Sequence, residues 1–240
     1  MTNAIRPRPI FIAALQREIA AVLKGSGWRA ADINRGPDVH VHLHKDAIIA
    51  WAGMGADRAS LAIEAALASG PASGLVSVGW AGSCNHRARV GDILRPSIVV
   101  DVKTGERFFV KEHGTIEAPE ILVTVPAPAG VIEKQRLGIN YYASAVDMEA
   151  AAVARIARGH DLPFYAIKAI SDAVEFELPD MQRFTTSRGQ LRELAFGFHV
   201  AVRPSLWTPV LAMAKSSKLA AGRLHVEIEA HIQECRDRRP

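Results

Sequence analysis

The sequence predicts an α/β fold built as a single domain. Three observations carry this. Short apolar runs of strand length alternate with stretches of helical spacing, and no linker, repeat or low-complexity block divides the chain. Of the 240 residues, 49% are apolar, enough for one sizeable core and too many for a disordered chain. No apolar run reaches the roughly 18 residues that span a bilayer. The opening MTNAIRPRPIFIAAL lacks the pattern of a secretory signal.

Element by element, Pro9 to Ala14 reads as a strand, followed by a helix over Gln16 to Leu23. Val39 to Leu43 and Ala47 to Trp51 form a hairpin about Lys45-Asp46. Asp57 to Ala68 is an Ala-rich helix ended by Ser69-Gly70-Pro71. Leu75 to Val78 is bare of polar residues, as a buried central strand should be. Ile93 to Val100 and Arg107 to Val110 flank a turn at Lys103 to Glu106, and Ile121 to Val125 is a further strand leading into a Pro/Ala/Gly connection. Met148 to Arg158 is a helix stopped by Gly159. Phe164 to Ile170 is a strand running straight into Ser171-Asp172. Val174 to Ser187 has no clean period and reads as a loop, with helices from about Arg188 and Trp207.

Composition excludes several classes. Cys84 and Cys235 are the only cysteines, too few for a disulfide scaffold or a four-cysteine zinc site, and thiols this sparse suit a reducing cytoplasm. The net charge of +4 gathers towards Lys215, Lys218, Arg223, Arg236, Arg238 and Arg239. Aromatics, at 6%, are not interleaved with it, so a solvated basic tail is expected rather than a nucleic-acid partner.

Chemistry is expected at the carboxyl ends of the strands, where open α/β sheets bind ligands. Asp172 emerges there. It is either a desolvated acid that holds and donates a proton or a helix N-cap. Glu149 stands at a strand-to-helix junction among Met148 and three alanines, where a helix's first turn favours an acid in any case. Glu18, one turn into the first helix, either faces the same edge or is solvated. Gly53-Met54-Gly55 and Gly79-Trp80-Ala81-Gly82 are turns that let backbone approach a ligand, but neither fits a P-loop. His40, His42 and His44 share one strand face, as a polar edge or as metal ligands. Cys84 has no activating neighbour, and no Gly-x-Ser-x-Gly elbow occurs.

Taken together, five segments resemble the nucleoside phosphorylase and nucleosidase superfamily, in particular its methylthioadenosine/S-adenosylhomocysteine nucleosidase branch. They are PIFIAALQREI (9–19), IIAWAGMGADRASLAIEAAL (48–67), LVSVGWAGSCNHRARVGDIL (75–94), AVDMEAAAVARIA (145–157) and FYAIKAISDA (164–173). The resemblance implies a central mixed sheet flanked by helices over residues 1–240, with a C-terminal helical extension at about 205–233. It implies catalytic roles for Asp172, Glu18 and Glu149, ribose binding by Met148 and Glu149, and purine binding by Asp172, Ser171, Ala81 and Gly82. Gly53, Gly55, Arg17, Trp80 and Lys168 fall where the family holds water or phosphate. No metal or cofactor is implied beyond phosphate as a co-substrate, and a homo-oligomer is expected.

The departures from the family are specific. Trp80 stands where a Ser or Thr is usual, and Lys168 where an Arg is usual, which removes a bidentate fork. Only residues 94–120 separate Val-Gly-Asp-Ile (90–93) from the strand at Ile121, a far shorter segment than ordinary members carry. This form resembles the hopanoid-associated branch, which removes adenine from adenosylhopane, a lipid nucleoside. That resemblance puts Phe176, Met181 and Phe184 beside an apolar 5′ substituent. Leu206, Trp207, Val210, Leu211 and Ala214 form a helical stripe that either packs on the domain or makes a peripheral membrane contact.

Overall fold

The computed structural model describes residues 6–33, 36, 38–111, 119–177, 186, 203 and 206–238. Strand β1 (Arg8–Ala13) and helix α1 (Gln16–Leu23) fall where the apolar runs place them, as do β3 (His40–Leu43), β4 (Ile48–Trp51) and α2 (Ala56–Ala68). A short β2 (Arg29–Ala30) pairs with β3 outside the hairpin. β5 (Ala72–Ser83) is twelve residues long, well beyond the bare Leu75 to Val78 run.

The run Ile93 to Val100 is broken in two. β6 (Ile93–Leu94) and β7 (Ile98–Asp101) are separated at Arg95-Pro96, where proline withholds a ladder donor. β8 (Arg107–Phe109) and β9 (Ile121–Thr124) follow. Helix α3 (Val131–Tyr141) and the three-residue β10 (Ala145–Asp147) were not expected from the sequence. Next come α4 (Ala150–Gly159), β11 (Phe164–Asp172) and a 31-residue α5 (Trp207–Asp237). The helix expected from Arg188 and most of the Val174 to Ser187 loop lie outside the described residues.

The strands form one mixed sheet in the order β2-β3-β4-β1-β5-β10-β9-β7-β8, with β11 paired to β5 and β6. Period-two alternation sends the strands' side chains into two cores. Ile10, Ile12 and Leu75 pack with the alanine-rich faces of α2 and α4. Phe11, Val76 and Ile167 pack with Ile19 and Val22 of α1 and with Leu224 and Ile228 of α5. The fold is therefore a central mixed sheet between helical layers, as the sequence predicts.

Ala59, Ala62 and Ala66 of α2 and Ala150, Ala154 and Ala157 of α4 are buried in the same core, and the two helices touch. Side chains this small let backbones approach closely and leave no room for growth. Ala62→Leu is expected to destabilise the fold by about 1–3 kcal/mol, because overpacking forces backbone shifts. Urea denaturation measures this, and an unchanged midpoint would show that the helix faces have room to spare.

Candidate active site

β5 is the strand where pairing partners change. On one side it pairs in parallel with β11 from Leu75 to Gly82. On the other it pairs with β1 only as far as Ser77, and β10 joins at Gly82 and Ser83. Trp80 falls in the interval between them. Its backbone N–H donates to Glu18 Oε1 at 3.1 Å, so a carboxylate occupies the position of a missing strand. Glu18 Oε2 accepts from the N–H groups of Ala14 at 3.0 Å and Leu15 at 2.9 Å, at the start of α1. Gly79 has φ 139° here, and a Cβ on it would lie 3.0 Å from Glu18 Oε1. Glycine both allows the bend and leaves space for the carboxylate. Burial raises the Glu18 pKa above its ordinary value, although these N–H donors and Lys168 pull the other way.

Glu149 follows β10 and precedes α4. It accepts the Gly55 N–H at 2.7 Å, at the start of α2, where Gly55 has φ 98°. Burial, and then the charge of Asp147, push the Glu149 pKa up to about 7. Asp147 itself is tied down: its carboxylate accepts from Thr124 Oγ1 at 2.6 Å and from the Ala150 N–H at 2.9 Å, capping α4. Lys168, 1% exposed, reaches Asp147 Oδ2 at 2.8 Å. Burial alone would lower the Lys168 pKa, but Asp147, Glu149 and Glu18 together raise it. One buried ammonium thus serves three carboxylates.

Asp172 ends β11. The Ser171 hydroxyl lies 2.7 Å from Asp172 Oδ1 and 3.3 Å from the Ala81 carbonyl. Asp172 Oδ2 lies 2.5 Å from Lys134 Nζ, on α3, and both side chains are buried. This ammonium beside Asp172 was not foreseen from the sequence. The helix N-cap alternative does not hold, since turn and coil follow Asp172 over the described residues to Glu177.

Glu18, Glu149 and Asp172 line one cavity of about 730 Å³, with Met148, Ser171, Ala81 and Gly82. Arg17 and Trp80 line it as well, with the Arg17 guanidinium 5.1 Å over the indole ring. Lys168, Gly53 and Gly55 lie behind the wall. Lys168 and Gly55 hold the carboxylates, and the Gly53 N–H donates to the Ala14 carbonyl. Phe176 is not part of the cavity lining; its carbonyl accepts from Lys134 at 2.9 Å. Met181 and Phe184 lie outside the described residues.

Sequence reasoning missed Lys134 and the wall made by α5, where Val210, Met213, Ala214 and Ser217 line the cavity. The stripe expected on α5 is therefore split: Val210 and Ala214 face the site, while Trp207 and Leu211 are 50% and 70% exposed. The histidines of β3 are taken up by aromatic contacts. His40 and His42 stack on Trp51 at 4.9 and 5.1 Å, and His44 lies 5.2 Å from Trp28. Cys84 is buried and its thiol is pushed up to about 12, so it is a packing group.

The phosphorylase superfamily description matches residues 10–132 and 121–195. No curated protein sequence matches the chain. Among solved structures, an MTA/SAH nucleosidase is similar with a TM-score of 0.71 and 16% identity, over 96% of this chain and 97% of that one. The 5′-methylthioadenosine nucleosidase of Arabidopsis thaliana gives 0.66 and 19%, over 95% and 97%. Futalosine hydrolase of Helicobacter pylori gives 0.65 and 16%, over 93% and 98%. At these identities the likeness is one of fold.

The raised Glu149 pKa has a consequence for stability. Below the unfolded pKa of about 4.5, both folded and unfolded states carry the proton. Between there and about 7 the folded state alone holds it, so this stabilisation is lost as pH rises to about 7. Comparing urea midpoints of wild type and Glu149→Gln at pH 5 and pH 8 measures the loss. The variant is expected to gain on the wild type by on the order of 1–3 kcal/mol at pH 8. A difference independent of pH would show that Glu149 titrates normally.

Proposed function

The chain belongs to the phosphorylase superfamily, and we propose that it hydrolyses the N-ribosidic bond of a 5′-substituted adenosine, releasing adenine. One observation carries this reading: three buried carboxylates from α1, the β10–α4 junction and β11 converge on one cavity.

The chemistry needs groups of this kind. As the C1′–N9 bond breaks, its electron pair moves into the purine, which leaves as a neutral base only if N7 gains a proton. Asp172, with Ser171 beside it, serves N7. Positive charge develops on the ribose, and Glu149, with Met148 packed on the sugar face, grips the hydroxyls and stabilises that charge. Water attacks C1′ and gives its proton to Glu18, whose burial increases its proton affinity.

Hydrolysis is favoured over phosphorolysis on electrostatic grounds. The N–H groups at the start of α1 and at Trp80 already donate to Glu18. A phosphate dianion placed beside that carboxylate would be repelled. The solved structures of similar fold include a methylthioadenosine nucleosidase and a futalosine hydrolase, which favours compact 5′-substituted nucleosides as substrates.

A second reading rests on the α5 wall. Val210, Met213 and Ala214 are apolar, and the cavity is in the upper part of the usual range for ligand pockets. Such a wall suits a large apolar 5′ group, as in adenosylhopane, with about 0.8 kcal/mol gained per buried methylene.

Adenine release from methylthioadenosine is expected to proceed equally with and without phosphate. Asp172→Asn is expected to lower kcat by on the order of 10²–10⁴ with the fold intact. A strict phosphate requirement would overturn the hydrolase reading. Specificity constants for methylthioadenosine and a 5′-alkylthioadenosine with a long chain decide the 5′ group. A preference for methylthioadenosine ends the lipid reading.

A further inference from the structure

α3 buries a charge where amphipathic spacing would bury an apolar residue. Lys134 is 1% exposed, while Ile132 and Ile139 of the same helix are 83% and 74% exposed. A buried ammonium is tolerated only when its donors are satisfied and its charge is paired. The Lys134 ammonium is paired in charge with Asp172, whose Oδ2 lies 2.5 Å from Nζ, and Nζ donates to the Ala173 carbonyl at 3.1 Å and the Phe176 carbonyl at 2.9 Å. Gly82 packs against the pair, and a Cβ there would lie 2.8 Å from Asp172 Oδ2 and 3.3 Å from Lys134 Cε.

We propose that Lys134 is a positioning residue for departure of the purine, fixing Asp172 and supplying it with the proton that N7 takes up. This rests on the hydrolase reading above. Asp172 Oδ2 faces the Lys134 ammonium at 2.5 Å, and both side chains are buried. The nearest acidic hydrogen is on Lys134 Nζ, and Lys134 also reaches the cavity wall. As C1′–N9 breaks, N7 takes a proton from Asp172, and Asp172 takes one from Lys134, leaving a neutral amine. The attacking water's proton goes to Glu18 and returns through solvent to recharge Lys134. The sum is 5′-substituted nucleoside plus water giving the 5-substituted ribose and neutral adenine.

Two leaving groups test the assignment. Methylthioadenosine needs a proton on its purine, whereas 4-nitrophenyl β-D-riboside releases a stable nitrophenolate without one. Lys134→Met is expected to lower kcat on methylthioadenosine by on the order of 10²–10⁴ and to lower it far less on the nitrophenyl riboside. Lys134→Arg keeps the charge and a contact with Asp172 but cannot surrender a proton. It should show the same selective loss, and its turnover of the nitrophenyl riboside reports that the site is folded. Equal losses on both substrates in Lys134→Arg, or wild-type turnover of methylthioadenosine by that variant, would overturn the proposal. A wild-type protein that cleaves the nitrophenyl riboside but releases adenine from no adenosine would instead overturn the hydrolase reading.

Discussion

β5 is paired with β11 along one edge from Leu75 to Gly82, but on the other edge β1 leaves it at Ser77 and β10 joins only at Gly82. A buried backbone N–H in that interval must find an acceptor, because leaving it unmade costs more than a typical hydrogen bond contributes. Glu18 supplies the acceptor and is thereby fixed at the carboxyl end of β1. The same interval lets β10 and β11 deliver Glu149 and Asp172 to the cavity. Geometry that leaves one strand edge unpaired therefore decides where three carboxylates meet.

Bringing them together has an electrostatic cost, which two buried lysines offset in different ways. Lys168 is shared: it touches Asp147 directly, and its charge lowers the pKa values of Glu18 and Glu149. Sharing leaves Glu149 undercompensated, with its pKa at about 7. Lys134 is dedicated to Asp172 and to the two carbonyls just beyond it. A lysine suits the Lys168 position, because a compact ammonium acts as a point charge shared by several carboxylates, where a planar fork would commit to one.

Much of this was legible in the sequence, for identifiable reasons. Bare apolar runs located β1, β5 and β11; Asp172 stands at the end of one such run, and Glu18 lies in the first turn of the helix after another. Glu149 was legible from the small residues around it. What escaped had no periodic signal. β10 is three residues long, and α3 buries Lys134 while exposing Ile132 and Ile139, an inversion of the usual pattern. The bonds from Gly55 to Glu149 and from Trp80 to Glu18 span 94 and 62 positions, so no local reading of the chain could join them. The aromatic contacts of the β3 histidines were out of local view as well. Alternation placed them on one face, and their partner Trp51, on which His40 and His42 stack, lies on the neighbouring strand.

α5 joins the two halves of this picture. Its buried residues, from Ala220 to Ile232, pack into the core that holds Phe11, Val76 and Ile167. None of its described residues before Ala220 is buried, and that stretch contributes Val210, Met213, Ala214 and Ser217 to the cavity. The anchored half packs on β1, β5 and β11, the strands beside which Glu18 and Asp172 line the cavity. The half before Ala220 extends from that frame as a wall of the cavity. The wall and the carboxylates thus rest on the same sheet through separate side chains, since the backbone hydrogen bonds that fix Glu18 and Glu149 involve no described residue of α5.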